Sequence, residues 1–262
     1  MSSPYAFETT GKQVAADSPA SILNKVVLIT GVSTGGLGAE FAVTISKHSP
    51  ALLILASRDL SKATETANMI KQVSPNAAAE VNNYKEKIHV LANNVGTMAV
   101  PYKLTPDRIE SQFGTNHIGH FLFTNLIINK LLPSNGDNSN PARVVNVSSG
   151  GYRLSWVRFG DWNFDNGKTY QPWVAYGQAK SANMLFSRSL ASKLSKRGNI
   201  QTNLTNNMGE TGIDPKDSEF WINDWSKSFM TIEQGTATHI YAAFHGDIGL
   251  DRSFGPSSIS SN

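Results

Sequence analysis

Residues 25–38 read KVVLITGVSTGGLG, and the order of features within them decides the fold. KVVLIT (25–30) is short, β-branched and apolar, as a strand buried on both faces of a parallel sheet should be. Glycines at 31, 35, 36 and 38 follow. They lead into LGAEFAVTISKH (37–48), whose apolar residues recur at helical spacing. Glycine lets a backbone turn tightly and lie close to a pyrophosphate, whose charge is favoured at a helix N-terminus. A plain strand–helix turn rarely needs four of them.

Outward from this unit the pattern repeats. ALLILAS (51–57) reads as a second buried strand, and DLSKATETANMIKQV (59–73) as a helix capped by Asp59 or Ser61. KIHVLANNVG (87–96) and ARVVNVSS (142–149) read as further strands, with one long helix predicted between them over 106–132. Strand–helix–strand repetition argues for an α/β fold: a Rossmann-like, doubly wound parallel sheet with helices on both faces. Ligands of such sheets bind beyond the carboxyl ends of the strands. Those ends carry Thr30 and Gly31, Ser57 and Arg58, Asn93 and Asn94, and Ser148 and Ser149. Residues 1–20, rich in Ser, Thr, Pro and Ala, read as a loose arm, and 21–262 as one domain. PSNGDNSNP (133–141) reads as a surface loop.

Composition narrows the classes. Of 262 residues 40% are hydrophobic and 16% charged, which suits a soluble globule. The net charge of +3 is scattered rather than gathered into a stripe, so nucleic acid is not an expected partner. The chain has no cysteine, which excludes disulfides, thiol nucleophiles and thiolate metal sites. No segment reaches the roughly 20 apolar residues of a membrane span. The start lacks the charge and apolar block of a secretory signal, so the expected location is cytoplasmic. His117 and His120 are three apart on the long helix, but no third ligand cluster accompanies them, and no metal site is expected.

Two further features point to chemistry. Arg58 stands twenty residues after Gly38, where a cofactor lacking a 2′-phosphate would want an acidic partner for its ribose. A guanidinium there can pair with a phosphate, which favours NADP over NAD, unless Arg58 simply pairs with Asp59. VAYGQAKSAN (174–183) puts Tyr176 and Lys180 four apart, on one helix face. That pair alone is compatible with chance.

TGVSTGGLG (30–38), NNVG (93–96), NHIGHF (116–121), VVNVSS (144–149) and YGQAK (176–180), in this order, resemble the short-chain dehydrogenase/reductase family over about residues 22–204. NHIGHF and KSANMLFSRSLASKL (180–194) resemble its retinol-dehydrogenase-like branch. The resemblance implies an NADP-dependent oxidoreductase that moves a hydride between nicotinamide and a small hydrophobic carbonyl or alcohol. It implies that Tyr176 is the acid/base, its pKa lowered from about 10 by Lys180, which also holds the nicotinamide ribose. Ser149 would bond the substrate oxygen, with Ser148 as the other candidate. Asn116 would support a proton-relay water, or would simply be a helix residue bonded to backbone. The cofactor would lie along Gly31, Ser33, Leu37, Gly38, Arg58, Asn93, Gly96, Tyr176, Lys180 and Thr202. Either Gly35 or Gly36 would be the second glycine of its phosphate turn. The aromatic-rich segment 152–173 would be a folded insertion with its own small core, an apolar wall for substrate, or both. Pairing into a homodimer or homotetramer through the helices at 106–132 and 176–196 is a further implication.

Three departures from that family stand in the sequence. NAAAEVNNYKEK (76–87) leaves no room for a normal third strand plus helix. LSKRGNIQTNL (194–204) reads as passing from helix to loop without a sixth strand, and GDIGLDRSFGPSSISSN (246–262) lacks a closing apolar strand. The expectation is therefore a four-stranded centre in the order 2-1-4-5 by that family's strand numbering, with an irregular C-terminal part over about 205–262. The alternative reading is a catalytically impaired or non-catalytic relative that at most binds cofactor or a partner.

Overall fold

Six parallel strands form one sheet in a computed structural model that describes residues 5–81, 87–132, 141–195, 200–204 and 230–245. The strands are β1 (Val26–Thr30), β2 (Leu52–Ala56), β3 (Ala79–Val81), β4 (Val90–Asn93), β5 (Ala142–Asn146) and β6 (Ile200–Leu204), in the order β3-β2-β1-β4-β5-β6. Val27 pairs with Leu53 on one side and Val90 on the other, and Leu91 pairs with Val144. The expected centre, β2-β1-β4-β5, is present.

Both edges correct the sequence reading. A third strand exists, shortened to three residues that pair with Leu53–Leu55. Three residues suffice to cover the edge of β2, and residues 82–89 are then the whole link to β4. The sixth strand is also present. IQTNL (200–204), read as loop, pairs along its full length with β5, from Ala142 with Ile200 to Asn146 with Leu204. Only two of its five residues are apolar, so it lacks the continuous run that marks a buried strand, whereas β5 offers an unpaired edge that favours pairing. The expected loss of a closing strand falls on residues 246–262, outside the described residues.

The helices cover both faces. One layer holds α1 (Gly11–Asp17), α2 (Pro19–Ile22), α3 (Leu37–Ser46), α4 (Leu60–Val73) and α9 (Ile232–Phe244). Here Phe41, Ile45, Ile70, Ile240 and Phe244 pack on Val27, Ile29, Leu53 and Leu55. The other layer holds α5 (Ser111–Phe113), α6 (Gly119–Leu126), α7 (Ile128–Leu131) and α8 (Pro172–Ser195). Leu131, Phe186, Leu190 and Leu194 pack there on Val26, Leu28, Ile54 and Val144. Alternate β1 residues thus feed opposite cores, and all five are buried.

The N-terminal segment is not a loose arm from Tyr5 onward. Thr10 and Gln13 form a capping box, and Val14, Ala15 and Ile22 are buried. A Cβ on Gly11 would lie 3.1 Å from Ile240 and Thr236, so α1 lies close against α9. Lys12 pairs with Glu233 across the same contact. The composition of this stretch hid a helix whose stability comes from packing rather than propensity.

The helix expected over 106–132 begins at Ser111 and is broken twice. Glu110 caps it, accepting from the Gln112 and Phe113 amides at 2.7 and 2.8 Å. A π turn, Gly114–Ile118, joins α5 to α6, and Ile127 (φ −101°, ψ 8°) separates α6 from α7.

Candidate active site

The carboxyl ends of β1, β4 and β5 meet the N-terminus of α3, the π turn and the first turns of α8. Gly31 and Gly35 have φ of +73° and +76°, a region that favours glycine. A Cβ on Gly38 would stand 2.5 Å from both Gly31 O and Asn94 Nδ2. Gly36 caps α3 without any side-chain bond, and among the described residues no side chain accepts from the leading amides of α3. Nothing lies within 4 Å of where a Cβ on Gly35 would sit. This cradle fits a pyrophosphate. Of the two candidates for the second turn glycine, Gly35 meets the backbone requirement and Gly36 provides the cap. The Ser33 carbonyl accepts from the Gly36 amide at 3.1 Å. Leu37 begins α3 and touches α9, since a Cβ on Gly235 would lie 2.9 Å from Leu37 Cδ2.

The two asparagines after β4 divide the work differently from the sequence reading. Asn93, expected beside the cofactor, is buried, and its Nδ2 donates to Thr124 Oγ1 (2.9 Å) and Asn146 Oδ1 (2.7 Å). Asn146 in turn donates to Ser187 Oγ at 2.7 Å. Asn93 therefore ties β4 to β5 and to the helices beneath them, and its side chain is turned away from the glycine turn. Asn94, which sequence reasoning passed over, holds that turn instead. Its Nδ2 donates to the Thr30 and Gly31 carbonyls at 3.0 and 3.1 Å, and its amide donates to Thr30 Oγ1 at 2.9 Å.

Ser149, Tyr176 and Lys180 come together. The Ser149 and Tyr176 hydroxyls are hydrogen-bonded; burial raises the Tyr176 pKa above its ordinary value and the bond to Ser149 works the other way. Ser148 donates to the Lys180 carbonyl at 3.0 Å and so fastens β5 to α8 rather than facing Tyr176. Lys180 is buried, and its Nζ donates to Val147 O at 3.0 Å and lies 5.5 Å from the centre of the Tyr176 ring. Burial pushes its pKa down to about 8. The expected lowering of Tyr176 by Lys180 is thus not the balance struck by the protein alone: desolvation dominates both groups. Gly96 is beside them, a Cβ there lying 3.6 Å from Lys180 Nζ and 3.4 Å from Asn116 Oδ1.

Asn116 sits in the π turn, and all of its polar groups are engaged. Oδ1 accepts from the Thr97 amide and Nδ2 donates to the Thr97 carbonyl, both at 2.8 Å. A π turn moves the helical bond one residue on, as Gly119 N to Gly114 O shows. The Asn116 carbonyl accepts from two side chains, His120 Nδ1 at 3.2 Å and Asn183 Nδ2 at 3.0 Å. A carbonyl oxygen has two lone pairs, so a relay water on it must displace one of these donors. Asn183 also donates to Val147 O at 3.2 Å, the carbonyl that Lys180 uses, and its Oδ1 meets His117 Nδ1 at 3.1 Å. The carbonyl partner puts the His120 proton on Nδ1, leaving Nε2 to accept from Thr30 Oγ1 at 3.0 Å. Burial pushes the His120 pKa to about 4, so the ring is neutral. His117 and His120 hence meet the Asn116 carbonyl from two sides, His120 directly and His117 through Asn183. Neither His120 nor Asn183 was singled out as a site residue, although both lie inside quoted motifs.

Arg58, at the end of β2, is exposed and forms no ion pair among the described residues; Asp59 instead caps α4. Thr202 lies on β6, its backbone opposite Val144. The segment 152–173 divides. Phe164 and Tyr170 pack edge-on, with Tyr102 beside Tyr170, as a small separate core. Phe159 and Trp162 line a groove with Phe121, Leu185 and Phe186. That groove is on the far face of α8 from Tyr176, by about 100° per residue. Only Trp173 is placed at the tyrosine, its ring edge-on at 6.2 Å.

Comparison with known proteins agrees with this geometry. A family model described as short chain dehydrogenase matches residues 25–160. Short-chain dehydrogenase TIC 32 A, chloroplastic, from Brassica napus is 33% identical, over 94% of this chain and 83% of that protein. Retinol dehydrogenase 12 from Mus musculus is 36% identical over 68% of this chain, and the match spans 59% of its own length. Among solved structures, a protein from Mycobacterium paratuberculosis superposes with a TM-score of 0.70 at 30% identity, covering 92% of this chain and 83% of that one. A short chain dehydrogenase from Shigella flexneri, complexed with NADP, shares the fold at 19% identity and a TM-score of 0.62, over 90% and 99% of the chains. The chain belongs to the short-chain dehydrogenase/reductase family of oxidoreductases, on its retinol-dehydrogenase-like branch. Among the described residues no helix is long and apolar enough to cross a membrane.

Proposed function

We propose that this protein uses NADP(H) to interconvert a small hydrophobic carbonyl compound and its alcohol. The observation that carries the reading is the meeting of Ser149, Tyr176 and Lys180 beside a glycine cradle at the carboxyl ends of the strands. The amides leading α3, with Gly35, Gly36 and Gly38, would hold the pyrophosphate, and Lys180 the nicotinamide ribose. When bound, the nicotinamide supplies or takes the hydride. Ser149 donates a hydrogen bond to the carbonyl oxygen and Tyr176 gives it a proton, so that hydride plus proton make the alcohol; oxidation reverses both. A Tyr176 pKa held up by burial keeps that proton in place at neutral pH, which suits reduction. Arg58, exposed and outside any ion pair among the described residues, is available to a 2′-phosphate. Trp173 supplies apolar surface at the tyrosine. We place the activity in the cytoplasm, in a homodimer. The non-catalytic alternative loses part of its basis, because β6 fills one of the departures that motivated it and β3 supplies the strand, in short form, of another.

A thermal melt with saturating NADPH or NADH, followed by NADPH consumption with a series of apolar aldehydes, tests this reading. NADPH should raise the midpoint by several degrees and more than NADH does, since a ligand at 100 times its dissociation constant adds about 2.7 kcal/mol. Tyr176→Phe should keep that shift and lose turnover by about 10²-fold or more. No shift with either cofactor would end the enzyme reading.

A further inference from the structure

At the opposite end of the sheet, the amino ends of β1, β4 and β5 surround a cavity of about 160 Å³ lined by Ser21, Lys25, His89, Arg143 and Phe244 among others. Strands of five residues put it about 15 Å from the catalytic end. Its charged lining is all of one kind. Lys25, His89 and Arg143 contribute to it, and among the described lining residues there is no carboxylate.

Arg143 is the unusual member. Its guanidinium is largely withdrawn from water, and burial lowers its pKa. A guanidinium has five N–H donors in a planar fork, yet among the described residues its side-chain bond runs from Nη1 to His245 O at 2.9 Å. Among the described residues it takes part in no ion pair. Burying such a charge without a counter-charge is costly. The neighbours worsen this: burial and then Arg143 itself lower Lys25, while burial, Lys25 and Lys87 lower His89. His89 also presents a donor. Its Nδ1 accepts from the Val26 amide at 3.0 Å, which puts the proton of the neutral ring on Nε2.

We propose that this cavity binds a small tetrahedral oxyanion, with Arg143 as the principal ligand and His89 and Lys25 as further donors. The shared chemistry is a phosphate or sulfate group, either free or at the end of a small metabolite. The site is independent of the cofactor reading, since it uses none of those residues.

The test is a thermal melt of the full chain in rising sodium sulfate or potassium phosphate, with sodium chloride holding ionic strength constant. The expected result is a saturable rise of a few degrees that is lost in Arg143→Gln and weakened at least threefold in Lys25→Met. The second variant keeps the test usable if the first does not fold. Saturating NADPH should leave the sulfate effect in place. A phosphomonoester that binds more tightly than inorganic phosphate identifies a metabolite as the source, and equal affinity identifies the free ion. A rise linear in salt and equal in wild type and variants is only surface exclusion of sulfate and overturns the proposal. So does a sulfate effect that NADPH abolishes, because the anion would then be at the cofactor phosphate position.

Discussion

Lys180 carries a charge to a place where, among the described residues, one backbone carbonyl is its hydrogen-bond acceptor. Its pKa of about 8 in the folded chain lies below the ordinary 10.5. Below pH 8 the lysine is protonated folded or unfolded, and the fold bears the whole cost of burying the charge. Between about 8 and 10.5 the folded form sheds the proton first, the unfolded chain binds more protons, and stability rises with pH. Lys180→Met should therefore melt higher than wild type at pH 7, by roughly 2–5 °C, with the gap closing by pH 10. Calorimetry at the two pH values checks this, and a lower melting point for the variant at pH 7 would refute it. The same variant should lose turnover by about 10²-fold or more, since the pair acts as a unit. The meeting of Ser149, Tyr176 and Lys180 was legible because it depends on residue type and helical spacing. The roles of Asn93 and Asn94 were not: the two are identical in sequence and adjacent, and only the direction each side chain takes separates a strand tie from a clamp on the glycine turn.

At the scale of elements, the π turn is what presents Asn116. One inserted residue in the helical ladder turns the Asn116 carbonyl toward the side chains of α6 and α8, and Asn183 fastens that carbonyl to Val147 at the end of β5. Asn183 thus shares an acceptor, Val147 O, with Lys180, which predicts a positioning role for it. Asn183→Leu keeps the branching of the side chain and removes the clamp. It should lower kcat by about 10- to 100-fold while leaving the NADPH dissociation constant within about twofold, because a misplacement of roughly 1 Å costs that much in rate. Stopped-flow turnover and cofactor titration separate the two. Loss of stability with unchanged kcat would reduce Asn183 to a packing residue. Neither the π turn nor β6 was legible, for different reasons: the π turn shifts a local helical bond by one residue and hardly disturbs the periodicity, whereas β6 is defined by backbone bonds to β5, distant in sequence. β1, β2 and β5 were legible because burial on both faces leaves a continuous apolar run.

At the scale of the whole molecule, the described residues leave a large apolar groove exposed. The groove between α5–α6 and α8, about 500 Å³ in volume, is lined by Phe121, Phe159, Trp162 and Leu185, which are 45%, 81%, 40% and 40% exposed. Leu122 and Leu126 continue the exposed strip along α6. Apolar patches of this kind mark interaction surfaces. The proposed homodimer would bury this face by setting the α6 and α8 helices of one subunit against those of the other. The active site lies on the opposite face of α8, so association would leave it open while bracing the helix that carries Tyr176 and Lys180. Leu185→Glu puts a charge into the centre of that contact without touching the catalytic face. The expected outcome is a dimer for wild type and a monomer for the variant by sedimentation equilibrium at the same concentration. The NADPH-induced melting shift should persist in both, because the glycine cradle belongs to one subunit. A wild-type monomer at micromolar concentration would remove the dimer from the proposal and leave the catalytic assignment standing. A variant that stays dimeric would mean that the subunits pair through some other face.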